Sequence, residues 1–211
     1  MPIFRCSPDR APAWCEVESF DNVHLGAFEI VTLTRRSVSD RIVVASGFCE
    51  LIERETIIKL GQGGQYQIDR EGFPYEIRSL SEPAIIVRFS GHWGDTTGSC
   101  GVFELRNSTT PQNDGDPVLY PRGTCFDNHY HDCDEYWLII DGRCVAISEG
   151  RAFLLEPGDC LVTGMGHHHD IPVVIDPILG VYFEGTMEGR KRAGHLWEHR
   201  DGPAQPVLLR I

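Results

Sequence analysis

Residues 123–142 read GTCFDNHYHDCDEYWLIIDG, with the spacing G-x5-H-x-H-x3-E-x6-G. His129, His131 and Glu135, three potential metal ligands, fall within seven residues. On an extended strand side chains alternate, so His129 and His131 point to one side and Tyr130 to the other. A turn over Asp132, Cys133 and Asp134 then starts a second strand, and its first inward carboxylate, Glu135, reaches the same point. Trp137 and Ile139 share the face of Glu135.

A fourth imidazole follows downstream in PGDCLVTGMGHHHD, where Gly158-x5-Gly164-x-Gly166-x2-His169 places His169 after a glycine-rich turn. The first segment matches the first signature motif of the cupin superfamily, and the second resembles its G-x5-P-x-G-x2-H-x3-N motif. Gly164 stands where proline is usual and Val173 where asparagine is usual. The resemblance implies an all-β fold of antiparallel cupin-type barrels (double-stranded β-helix, jelly roll). It also implies one divalent metal held by His129, His131, Glu135 and His169.

The first half of the chain has the same order of short β-rich runs: HLGAFEIVTL, RIVVASG, CELIERETIIKL, QYQID, YEIRSL and AIIVRFSG. Each is rich in Val, Ile, Phe and Tyr and is broken by turn residues. DEYWLIIDG lies over SDRIVVASG and LLEPGDCL over KLGQGGQY at a spacing of 95, and VYFEG lies over VRFSG at 94. GVFEL (101–105) lies over GAFEI (26–30) at 75. The repeat predicts two barrels, a bicupin with a boundary near residue 97. Residues 1–97 form a degenerate barrel, and 98–211 form a metal-binding barrel with a C-terminal tail. The fall in spacing assigns about 20 extra residues to the second barrel, an exposed polar loop over 107–123. At the ligand positions the first half has Thr34, Arg36 and Asp40, with Pro74 near the position of His169. An arginine cannot ligate a cation, so the first barrel is expected to be metal-free and to serve packing and dimerisation.

Thirty-one acidic against 19 basic residues give a net charge of -12, which argues against a nucleic-acid partner or an anionic membrane surface. No apolar run has the roughly 18 to 20 residues of a membrane helix and no secretory leader opens the chain, so a cytoplasmic homodimer is expected. The eight cysteines lack Cys-x-x-Cys spacing and are read as reduced thiols. The first ten to twenty residues read as an arm or an edge strand.

Three imidazoles and a carboxylate suit Mn, Fe, Co, Ni or Zn better than Mg or Ca. In an octahedral arrangement two positions stay open for a small-molecule substrate, a hydroxy-carbonyl, diol or carboxylate. The expected function is a metal-dependent isomerase, epimerase or lyase on a sugar-like or hydroxy-keto-acid substrate. An Fe(II)-dependent dioxygenase and a non-catalytic metal- or ligand-binding module are the alternatives.

The catalytic candidates are His167, Tyr182 and Glu184. His167 shares parity with His169 but lies in a turn that can face solvent. Tyr182 and Glu184 share one face of their strand, inward or outward. Trp137 is core filler or a substrate wall. Arg151, Lys191 and Arg192 are expected to be solvated, and Arg36 with Asp40 is read as an internal or solvated salt bridge, with a leftover anion site as the alternative. The tail TMEGRKRAGHLWEHRDGPAQPVLLRI opens like a helix; its His195, Trp197 and His199 can fold back over a barrel mouth or dock on a partner subunit, and docking is the expected role.

Overall fold

The computed structural model describes residues 2–5, 10–68, 73–80, 82–110, 125–189 and 191–211. The described residues hold fifteen strands and one four-residue helix, and the described strand pairs are antiparallel. None of their helices is long and apolar enough to cross a membrane. Most of the expected loop over 107–123 lies outside the described residues.

The chain divides into two compact units. One comprises Cys6–Trp93 and Cys100–Val102; the other comprises Met1–Arg5, Gly94–Ser99 and Phe103–Ile211.

In the first, β2 (Val17–Leu25), β9 (Ala84–Gly91), β4 (Ser39–Ser46) and β7 (Gln65–Ile68) form one sheet in that order. A second sheet has the order β3 (Ile30–Leu33), β8 (Tyr75–Ser79), β5 (Phe48–Glu53), β6 (Thr56–Gly61). Alternate residues of both sheets, including Ile42, Val44, Leu51, Ile77 and Ile86, meet in one buried core.

In the other unit the sheet order is β1 (Ile3–Phe4), β14 (Cys160–Thr163), β12 (Glu135–Ser148), β15 (His169–Glu184), β10 (Cys100–Leu105). Strand β11 (Phe126–His129) adds to β15, and β13 (Arg151–Leu155) adds to β12. Its core gathers Trp137, Ile139, Leu155, Leu161 and Ile171. The expected edge strand is present as β1, which pairs Phe4 with Cys160.

The repeat extends to strand register. Glu135 pairs with Thr163 and Glu184, while Asp40 pairs with Ile68 and Ser90. Cys144 pairs with Leu155, and Cys49 with Leu60. The corner glycines agree too: Gly142 (φ 82°) and Gly47 (φ 79°) each press against a proline carbonyl. A Cβ would lie 2.0 Å from the Pro177 oxygen and 2.4 Å from that of Pro83, respectively, so only glycine fits where the strand turns from one layer to the next.

One match fails. GVFEL is strand β10, whereas GAFEI crosses a turn whose Phe28 has φ 62° and is 72% exposed. Likewise CELIERETIIKL breaks into the β5–β6 hairpin at Arg54, φ 56°. In both runs a non-glycine residue makes the left-handed turn, so the hydrophobic alternation reads straight through it.

At the place of the ligands, the first unit carries an ion network. Asp40 is fully buried and accepts from Tyr75 Oη at 3.1 Å, with Arg88 Nη1 3.6 Å from its Oδ2. Arg88 donates through both Nε and Nη2 to Asp21, and Arg36 also reaches Asp21, at 2.7 Å. The expected Arg36–Asp40 side-chain salt bridge is thus replaced: the half-exposed Arg36 guanidinium pairs with Asp21, and Arg36 meets Asp40 only through its backbone N–H. Burial, and then the charge of Asp40, raise the Tyr75 phenol above its ordinary range. Arg88→Met should destabilise the protein by about 3–5 kcal/mol, because it strands a buried carboxylate. Adding Asp40→Asn should recover part of that loss, as read from urea denaturation midpoints.

Seven described cysteines are buried thiols. Burial pushes Cys49 up to about 11 and Cys144 up to about 12. Both thiols should stay unalkylated by iodoacetamide in the native protein at pH 8, where the thiolate is scarce, and react once the chain is unfolded. Rapid native labelling of either, mapped by mass spectrometry, would contradict this.

Candidate metal centre

His129 ends β11, Glu135 begins β12 and His169 begins β15, so three strand ends converge. His131 stands in the short link between β11 and β12. All four side chains are buried, and one ligand atom from each lies within 4.8 Å of the others.

The tautomers follow from the backbone. His129 Nδ1 meets the Asp127 carbonyl at 2.7 Å, His131 Nδ1 that of Gly194 at 3.1 Å, and His169 Nδ1 that of His167 at 3.0 Å. A carbonyl only accepts, so each Nδ1 carries the proton. Each Nε2 is thereby turned inward. His169 Nε2 and His131 Nε2 lie 2.7 Å and 3.1 Å from the same Glu135 oxygen, Oε2. His129 Nε2 is buried without a hydrogen-bond partner. Buried nitrogens of this kind are costly unless something accepts their lone pair. Three oriented imidazoles around one carboxylate therefore fit a divalent metal, with backbone carbonyls fixing the rings from behind.

The electrostatics agree. Burial works against charge on His131, but Glu135 and then Glu184 outweigh it and raise its pKa to about 9. Burial likewise opposes charge on Glu135, and His131 with His169 holds it well below the ordinary carboxylate range. His129 is driven well below its ordinary range, first by burial and then by His169, His195 and His131. The cluster is a buried anion encircled by groups that favour positive charge at its centre.

Glu184 joins this cluster. It is the direct cross-strand partner of Glu135, and such pairs project to the same side of a sheet, which fixes the inward facing that parity left open. Its Oε2 accepts from Ser99 N–H at 2.7 Å, and its Oε1 lies 3.8 Å from His131 Nδ1. Tyr182 faces Trp137 two pairs along, half-buried, with its Oη 2.9 Å from Ser99 Oγ. Trp137 is buried in the core and sets its ring edge-on to His169, 4.9 Å between centroids. His167 is buried rather than facing solvent; its Nε2 donates to the Val207 carbonyl at 3.1 Å, and its Nδ1 lies 3.6 Å from Glu149.

The tail takes the fold-back alternative. Residues of 191–211 pack on their own unit, with Leu196 and Trp197 buried. Leu196 and Tyr130 exchange both backbone hydrogen bonds, Trp197 Nε1 donates to Asp127, and Tyr130 Oη donates to the Gly202 carbonyl. The helix-like opening amounts to α1 (Glu198–Asp201). Arg192 is not simply solvated: it holds Asp132 through Nε at 2.9 Å and reaches the Asp201 carbonyl at 2.7 Å. Farther on, Val207 N–H donates to Met165 and Arg210 pairs with Asp134 at 2.6 Å. A Cβ on Gly164 would lie 2.5 Å from both the Cβ and the carbonyl oxygen of Arg210. Glycine replaces the usual proline because the tail passes there.

His195 comes with the tail and was not among the sequence-derived site residues. Its ring lies 4.3 Å from that of His129 and 5.2 Å from that of His131. The signal for it was a His-x-Trp pair in a segment without strand periodicity, which does not say where a segment docks.

No protein-family model matches the chain. The uncharacterized protein y4oW of Sinorhizobium fredii (strain NBRC 101917 / NGR234) is 44% identical over 204 residues, covering 97% of this chain and 94% of that protein. The crystal structure of YhaK from Escherichia coli aligns with a TM-score of 0.57 at 13% identity, covering 88% of this chain and 94% of the other. A structure of Bacillus subtilis oxalate decarboxylase, studied for its Mn(II) centers, aligns with a TM-score of 0.52 at 11% identity, covering 82% and 70%. At such identities the likeness to the solved structures is one of fold, the cupin-type jelly roll.

The wild-type protein should retain divalent metal through dialysis and gain thermal stability with added Mn(II), by about 2.7 kcal/mol at a hundredfold excess over Kd. His129→Ala should lose both the retained metal and the metal-dependent shift. An equal shift in the variant would exclude this cluster as the binding site.

Proposed function

We propose, for a chain that belongs to the same family as the Sinorhizobium fredii protein y4oW and has the cupin fold, a divalent-metal-dependent isomerase, epimerase or lyase acting on a small polar substrate. His129, His131, Glu135 and His169 are the ligands, and Mn, Fe, Co, Ni and Zn are the metals their donor set suits. Mn(II) centers in a protein of the same fold support this class. When bound, such a metal supplies Lewis-acid stabilisation of a developing oxyanion.

The observation that carries the reading is the second carboxyl, Glu184. It is buried on the ligand face beside Glu135, and one oxygen is anchored by the Ser99 N–H. A single fixed carboxyl next to a substrate-binding centre suits moving a proton to and from carbon. Glu184 takes that role here, and His167, whose Nε2 is engaged by Val207, holds the turn before His169 in place. The Tyr182 hydroxyl, tied to Ser99, and the Trp137 ring flank the same face and orient the substrate. The two-unit repeat reads as a bicupin in which Thr34, Arg36 and Asp40 have replaced the ligands of the first barrel.

The test is a panel of small hydroxy acids, keto acids and sugars incubated with metal-loaded protein in deuterium oxide under anaerobic conditions, followed by proton NMR. Deuterium should enter at a carbon next to a carbonyl. Glu184→Gln should lower that exchange at least about a hundredfold while retaining metal. Turnover that needs dioxygen and leaves carbon-bound hydrogen untouched would instead establish the iron-dependent dioxygenase.

A further inference from the structure

The tail brings a fourth imidazole to the centre. The ring of His195 stands from those of His129 and His131 at 4.3 and 5.2 Å, against 4.4, 5.1 and 5.4 Å among the three ligand rings themselves. Its nitrogens nonetheless fall outside the tight four-atom ligand group. His195 is half-buried, whereas the ligands are buried, so it stands between the ligand set and solvent.

Its position is built from both sides. The preceding Gly194, at φ 84°, offers its carbonyl to His131 Nδ1–H. The following Leu196 is clamped to Tyr130 by two backbone hydrogen bonds of 3.0 and 3.1 Å, and Trp197 is held by Asp127. The same two groups that fix the strap, His131 and the residue after His129, belong to the ligand segment. A shift of the strap is thus tied to a shift of the centre.

A divalent cation with a single ligating carboxylate keeps net positive charge, and a neutral or charged imidazole beside it adds an N–H donor. That combination favours an anionic oxygen. Resting on the metal-centre reading above, we propose that His195 is a substrate-contacting residue that donates a hydrogen bond to an oxygen of a small hydroxy acid bound at the metal. The tail strap is then part of the binding site.

The experiment uses the full chain loaded with Co(II) and titrates it with glycolate, followed by the visible absorption of the metal. Wild type should bind glycolate with a change in the Co(II) spectrum. His195→Ala should keep full Co(II) stoichiometry and the glycolate-free spectrum but bind glycolate roughly ten- to hundredfold more weakly. His195→Asn, which restores an N–H donor, should recover part of the affinity, and the exposed His199→Ala on the same tail should match wild type. Unchanged glycolate affinity in His195→Ala overturns the proposal. Loss of Co(II) or an altered glycolate-free spectrum in that variant also overturns it, by making His195 a ligand or a support of the ligands. Wild type that holds Co(II) without binding glycolate removes the hydroxy-acid class and leaves the metal centre standing. Wild type that holds no Co(II) brings down the metal-centre reading, and this proposal with it.

Discussion

A carboxylate buried on all sides is the constraint around which the larger unit is arranged. Glu135 sits at the start of the longest central strand pairing, and burying a bare anion there would be prohibitive without compensation. The surroundings supply it in layers. Two imidazole nitrogens point at one of its oxygens, three backbone carbonyls turn the rings so that those nitrogens face inward, and the tail closes over His131 from outside. Each layer only makes sense if the centre favours positive charge.

The smaller unit meets the same topological position with another solution. Asp40 has the strand register of Glu135, yet its charge is balanced by Arg88 and by a phenol hydrogen bond from Tyr75. Arg88 in turn satisfies Asp21 and the Thr34 carbonyl. A guanidinium is a permanent internal cation, whereas imidazoles can give up their protons and leave the position to an exchangeable cation. The same backbone serves a closed salt-bridge network in one unit and a ligand cage in the other.

Much of this was legible in the sequence because it depends on short-range periodicity. Alternation placed His129 with His131, and the 95-residue spacing anticipated strand pairings residue by residue, down to the corner glycines Gly47 and Gly142. What escaped depends on contacts between segments with no shared pattern. Phe28 and Arg54 make left-handed turns without glycine, so two hairpin-like breaks were hidden. Whether Glu184 faces in or out is a parity question that only its pairing with Glu135 answers. His195 reaches the centre because Leu196 bridges to Tyr130, and no local rule links residues 66 positions apart. Gly164 did leave a trace, as a departure from the motif the segment resembles, at a place where a Cβ would collide with Arg210.

The edge strand β1 has a consequence for how the chain folds. It pairs with β14, and Arg5 reaches Asp159, 154 residues later, at 2.6 Å. The whole of the first unit, Cys6–Trp93 and Cys100–Val102, lies within that span. Closing a flexible loop of such length carries an entropic penalty on the order of 4–5 kcal/mol, which two short strand pairs cannot meet early. If the intervening unit collapses first, the effective loop shortens and the closure becomes affordable in time. The order of events would then run from the middle of the chain outward, with β1 seated late, so that contact order rather than the direction of synthesis sets the folding rate.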